Sequence, residues 1–73
     1  MGNRRSIIEK ISNLKNGESC CFNMFEEGGA SCYRCNDMFL LFEIPAYGGK
    51  EQYEDTYSES QIAVLVNVAL GWT

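Results

Sequence analysis

Apolar residues recur at Ile7, Ile8, Ile11 and Leu14, the three-and-four spacing that places side chains on one stripe of a helix. Ser6 followed by Glu9 has the form of a capping box, and Asn16-Gly17 supplies a stop. The pattern predicts a helix that starts at Arg4 or Ser6 and ends at Asn16, with Arg5, Glu9, Lys10 and Lys15 facing solvent. Over residues 19–25 the period falls to two, with Cys20, Phe22 and Met24 on one face and Cys21, Asn23 and Phe25 on the other, which predicts a strand. Glu26-Glu27-Gly28-Gly29-Ala30 has the composition of a hairpin loop centred on Gly28, and residues 31–35 form its short partner strand. Asn36-Asp37 reads as a tight turn. Residues 38–44 are apolar on both faces until Glu43, as expected of the central strand of a sheet.

Pro45 limits further ladder bonding, and Tyr47-Gly48-Gly49-Lys50 reads as a turn. Residues 51–57 alternate tyrosine with acids and Thr56, a pattern open to two readings, a solvated edge strand or a loop. Ser58 and Gln61 form a second capping box ahead of a helix whose stripe is Ile62, Leu65, Val66 and Ala69. Val64, Val68 and Leu70 widen that stripe beyond what one sheet face covers, and Gly71 with Trp72 fits a C-terminal cap. Helix, three or four antiparallel strands, helix is an α+β order, and the expected assembly is one domain over residues 1–73 with both helices on one face of the sheet.

Length changes what such a fold can do. A chain of 73 residues and 8.2 kDa buries only about 60% of its extended surface and has no room for both a core and a deep substrate cavity. The run from Ile62 to Leu70, interrupted by Asn67, is too short for a bilayer that needs about 20 residues. No apolar segment follows Arg4 and Arg5, so a cytoplasmic location with reduced thiols is expected. Met1-Gly2-Asn3-Arg4-Arg5-Ser6 has the spacing of an N-myristoylation signal, although Ser6 also serves the capping box.

Candidate chemistry is thin. Cys32-Tyr33-Arg34-Cys35 is a C-x-x-C and Cys20-Cys21 lies upstream, so a zinc site, a disulfide and a redox pair are each conceivable. Adjacent strand residues point to opposite faces, and a loop centred on Gly28 would bring Cys21 near Cys35 and Cys32 near Met24, two cysteines at most in one place. The expectation is free thiols acting as small hydrophobes, with no metal and no cofactor. There is no histidine to activate a serine or cysteine, and Lys10, Lys15 and Lys50 fall at exposed positions. The pairs Glu26-Glu27 and Glu54-Asp55 read as solvated charge, and the glycine pairs open no helix and precede no lysine-serine, so they cradle no phosphate. The chain is expected not to be an enzyme.

Charge is the stronger signal. Residues 1–17 carry four basic side chains against one acid, or +3, and residues 18–73 carry two against nine, or −7, which together give the net −4. An acidic body repels nucleic acid and attracts basic partners. Residues 47–59 mix tyrosines, which offer stiff contact area, with carboxylates that take arginines bidentately.

In size, acidity and helix–strands–helix layout the chain resembles the small phage-encoded inhibitors of host defence, above all anti-CRISPR proteins. That resemblance is one of type and rests on no shared motif. It implies a non-enzymatic inhibitor that blocks a basic groove of a host nucleoprotein complex by acidic DNA mimicry, with Glu26, Glu27, Glu51, Glu54, Asp55 and Glu59 as the charges and Tyr47, Tyr53 and Tyr57 as anchors. Three other readings stand beside it: a small regulatory or structural protein that dimerises or docks through Val64, Val68 and Trp72 of the second helix, a cysteine-based zinc or redox module, and a membrane-anchored adaptor.

Overall fold

In a computed structural model, which describes residues 3–25, 28–45 and 49–72, the first apolar stripe lies on a helix, α1 (Arg4–Ser12). Its cap is Asn3 and not Ser6: the Asn3 side chain accepts the Ser6 backbone N–H at 2.8 Å, so Ser6 sits in the first turn. The helix stops a turn short of Asn16, because the next residues bond elsewhere. Glu18 Oε1 accepts the Lys15 N–H at 2.7 Å, Gly17 takes a φ of +86°, and the Gly17 N–H donates to the Arg34 carbonyl at 2.9 Å. Leu14 is still buried with Ile7 and Ile11.

Four antiparallel strands follow, β1 (Ser19–Phe25), β2 (Gly28–Cys35), β3 (Met38–Ile44) and β4 (Gln52–Ser58), in the spatial order β1-β2-β3-β4. The strand over 38–44 is an inner one, as its two-faced apolarity predicts, and residues 52–58 form an edge strand. The first hairpin differs from expectation. Gly28, Gly29 and Ala30 belong to β2, and Phe25 pairs with Gly28. Cys20 therefore comes opposite Cys32 and Cys21 opposite Ser31, and Glu26 and Glu27 lie outside the described residues. Gly28 has a φ of +133° beside an irregularity between Phe22 and Phe25, a backbone shape that glycine permits and side-chain-bearing residues avoid. The second hairpin turns at Asn36-Asp37 with Asn36 at φ +56°, held by Asn16, whose Oδ1 accepts the Asn36 N–H at 2.8 Å.

A one-residue irregularity in β4 decides which of its side chains face the core. Leu41 pairs with Asp55 but Phe42 pairs with Tyr53, leaving Glu54 as an extra residue. Without it Tyr53 and Tyr57 would share a face. With it Tyr57 turns inward opposite Phe39, and Tyr53 and Thr56 turn outward together, their hydroxyls 2.5 Å apart.

After β4 the Ser58–Gln61 capping box forms as predicted and opens a short 3-10 turn (Glu59–Gln61) into α2 (Ile62–Leu70). Both helices lie on one face of the sheet, α1 against β1 and α2 against β3 and β4, and they also pack on each other. That double contact explains the wide apolar stripe of α2. Ile62, Leu65, Val66 and Ala69 are buried, and Val68, Leu70 and Trp72 pack partly against the same core. Asn67 interrupts the run to accept Arg4 Nε at 2.6 Å, tying the helices together. The sheet contributes Phe22, Ala30, Cys32, Phe39, Leu41 and Tyr57 to the core. Among the described residues no helix is long and apolar enough to cross a membrane.

Leu65 is fully buried at the centre of this layer. Leu65→Ala is expected to cost about 3 kcal/mol of a total of about 5–10 kcal/mol. Urea denaturation should show it as a large drop in midpoint with the slope retained, and an unchanged midpoint would contradict the packing.

Candidate protein-binding surface

β4 and the turn after it carry the acids that the sequence singles out. Glu51 immediately precedes the strand, Glu54 and Asp55 lie within it, and Glu59 opens the 3-10 turn, and all four are exposed. Three of them lie on or beside the free edge strand and the fourth in the turn that follows it. Among the described residues none of the four is ion-paired, and the salt bridge present is Arg5–Glu9 on α1 at 3.8 Å. Asp55 Oδ1 accepts the adjacent Thr56 N–H at 2.8 Å, which fixes its carboxylate against the strand.

Three of the basic side chains are engaged elsewhere, whereas Lys50 is exposed directly before Glu51. Arg34 donates to the Leu14 carbonyl at 2.6 Å and to the Asn36 carbonyl at 3.0 Å, and its guanidinium lies over the Phe39 ring. Arg4 is on Asn67, and Lys10 Nζ donates to the Cys21 carbonyl at 3.3 Å. Sequence reasoning counted Arg34 as a charge within a C-x-x-C and missed its structural use. The signal was its place two residues before a turn, where a guanidinium reaches two chain carbonyls at once.

Of the tyrosines, Tyr53 is 56% exposed and meets Phe42 edge to face, ring centroids 5.8 Å apart. Tyr57 does not belong to this surface. It is 8% exposed, because the extra residue at Glu54 inverts the alternation, and it serves as core. Glu26, Glu27 and Tyr47 lie outside the described residues, as do the first two residues of the myristoylation pattern. The nine expected contact residues thus reduce to Glu51, Tyr53, Glu54, Asp55 and Glu59 as a described, exposed set.

The cysteines divide by face. Cys20 and Cys32 point to the helix side as cross-strand neighbours, and Cys21 and Cys35 are exposed on the other side, so the C-x-x-C does not converge. The expected neighbours, Cys21 with Cys35 and Cys32 with Met24, do not occur, since the hairpin turns two residues earlier than Gly28. All four thiols are free, and among the described residues no group of three or more potential ligands is arranged to hold a metal. Burial pushes the Cys32 thiol up to about 12, with Cys20 adding to the rise, and burial raises Cys20 against the opposing pull of Lys10.

A depression of about 390 Å³ beside the turns is lined by Arg34, Asp37, Phe39, Ser58, Glu59 and Ser60. Its two hydroxyls bond to each other at 3.1 Å, and that of Ser58 also to Gln61, with no hydrogen bond to a base among the described residues. The chain matches no protein-family model, no curated protein and no solved structure.

The thiols and Tyr57 give an alkaline signature. Burial, then Asp55, Glu54 and Tyr53, raise the Tyr57 hydroxyl, in the same direction as Cys32. Each group loses its proton later in the folded than in the unfolded chain, so its contribution is complete below the unfolded value, 9.0 for the thiol, and is lost as pH rises toward 12. Unfolding free energy measured from pH 7 to 12 should fall above pH 9, at up to about 1.4 kcal/mol per unit for Cys32, and Cys32→Ala should flatten that slope. A flat profile would contradict the burial of Cys32.

Proposed function

We propose that the chain is a non-enzymatic inhibitor that docks its acidic β4 edge into a cationic nucleic-acid-binding groove of a host defence complex, in the manner of the phage anti-CRISPR proteins it resembles. The observation that supports this is the set of exposed carboxylates at Glu51, Glu54, Asp55 and Glu59, none of which forms an ion pair among the described residues. In such docking each carboxylate takes an arginine or lysine that would otherwise hold a phosphate. Tyr53, on the same strand and stiffened against Phe42, supplies apolar contact area. Blocking the groove stops nucleic-acid binding with no bond made or broken, and it takes place in the cytoplasm of the host cell, where such complexes work.

The acidic body also disfavours direct nucleic-acid binding by the chain itself, since the N-terminal cations Arg4, Arg5 and Lys10 already have partners within the fold. The alternative docking face on α2 has less to offer. Val64 is exposed there, whereas Val68 and Trp72 pack against the chain's own core.

Competition measures the reading directly. Increasing protein should displace a labelled target duplex from at least one member of a panel of CRISPR effectors, more weakly as salt rises. The Glu51→Lys, Glu54→Lys, Asp55→Lys triple variant should keep its melting temperature and lose at least about 100-fold in potency, near 1.4 kcal/mol per tenfold. Displacement unchanged in the triple variant, or absent across the panel, would reject it.

A further inference from the structure

Two reactive side chains with no part in the acidic edge meet at the opposite flank of the sheet. Cys20 of β1 and Cys32 of β2 are direct partners in the antiparallel register, and both pack on the helix side against the core. The ladder fixes their spacing. Just ahead of β1 the Arg34 N–H donates to the Glu18 carbonyl at 2.9 Å, and hydrogen-bonded pairs recur at every second residue of one register, so Cys20 and Cys32 form such a pair. Their Cα atoms then stand about 5.5 Å apart, within the commonest separation of disulfide-linked residues. Cβ atoms of opposite strand residues lie about 4.5–5.5 Å apart, against about 3.5–4.5 Å in a disulfide, so a bond here draws the strands together and is held under tension.

We infer that Cys20 and Cys32 form a reversible disulfide, a redox-sensitive clip that locks the edge strand β1 onto β2. The oxidant is a low-molecular-weight disulfide such as glutathione disulfide. First, Cys20 gives its proton to water and its thiolate attacks one sulfur of the oxidant. A mixed disulfide forms, the oxidant's S–S bond breaks, and one thiolate leaves with the electron pair and takes up a proton. Cys32 then gives up its proton and attacks Cys20 Sγ, which expels the second thiolate. Two protein thiols are oxidised, and one small disulfide is reduced to two thiols.

Accessibility sets that order. Cys20 is half-buried on an edge strand, whereas Cys32 is fully enclosed and meets its partner sulfur from inside the fold. Burial raises the Cys20 thiol, and Lys10, whose Nζ donates to the neighbouring Cys21 carbonyl at 3.3 Å, pulls the other way and favours the attacking thiolate. Cys21 and Cys35 are exposed on the other side, and their strand partners are Ser31 and Met38, not thiols. Within the sheet β1 pairs with β2 alone, so the clip stops it from peeling away. β4 lies at the far edge, and its acids are presented alike in both states. A tense bond is also easily reopened, so a reducing thiol pool keeps the pair open and a pool shifted toward its disulfide closes it.

The full chain carrying Cys21→Ser and Cys35→Ser, both at exposed positions, tests this when it is incubated folded with glutathione disulfide and then alkylated. Intact mass should show the loss of two hydrogens with no glutathione retained, peptide mapping should join Cys20 to Cys32, and reduced glutathione should restore both thiols. The oxidised form should melt at least about 5 °C higher than the reduced form, and Cys20→Ser in the same background should abolish both the bond and the shift. Glutathione retained on Cys20 with Cys32 still open to alkylation after denaturation, a bond formed only in urea, or two thiols left unreacted in the folded chain would overturn the proposal.

Discussion

Two nine-residue helices can cover one face of a four-stranded sheet and no more. The rest of the molecule follows from that coverage. One side of the sheet becomes the core, with Ile11, Cys32, Phe39, Leu41, Leu65 and Val66 fully enclosed, and the other side stays open. α2 can be apolar over most of its circumference because it is wedged between α1 and the sheet, and the Arg4–Asn67 hydrogen bond fixes the angle between the helices at their exposed seam. Charge is then sorted by geometry. Acids lie along β4 and the turn after it, and no charged side chain of the described strand residues lies on the open face.

The second constraint is the extra residue at Glu54. In a strand whose alternation is two, a single insertion exchanges faces for everything beyond it. It commits Tyr57 to the core and Tyr53 to the surface, and it leaves Glu54 and Asp55 adjacent at the free edge. Acids there also blunt the edge against pairing with other strands, so one feature both protects the sheet and builds the proposed contact line.

Much of this was legible in the chain. The apolar stripes at 7, 11, 14 and at 62, 65, 66, 69 correspond to buried residues, residues 38–44 are an inner strand, and Ser58–Gln61 is a capping box. Other parts were illegible for physical reasons. Ser6 and Asn3 are both competent caps, and which one closes the helix depends on where the preceding chain enters. The glycine pair at 28 and 29 looks like a turn by composition, yet φ +133° at Gly28 is equally what an irregular strand start requires, and the hairpin's register moved with it. An irregularity in β4 leaves no trace in composition, so Tyr57 read as a surface anchor. The open face was hidden for a related reason: a strand apolar on both faces predicts burial on both, and here no helix among the described residues packs on the second face, where Leu40, Phe42 and Ile44 are half-buried.

Which face of each strand is enclosed is the claim everything else depends on, and hydroxyl-radical footprinting of dilute protein measures it residue by residue. Tyr33, Met38 and Tyr53 should be oxidised rapidly, while Phe39, Leu41 and Tyr57 should remain unmodified until the chain is unfolded. Comparable labelling of Tyr53 and Tyr57, or protection of Tyr53 with modification of Tyr57, would mean that β4 is in another register, and the account built on its edge and on the open face would fall.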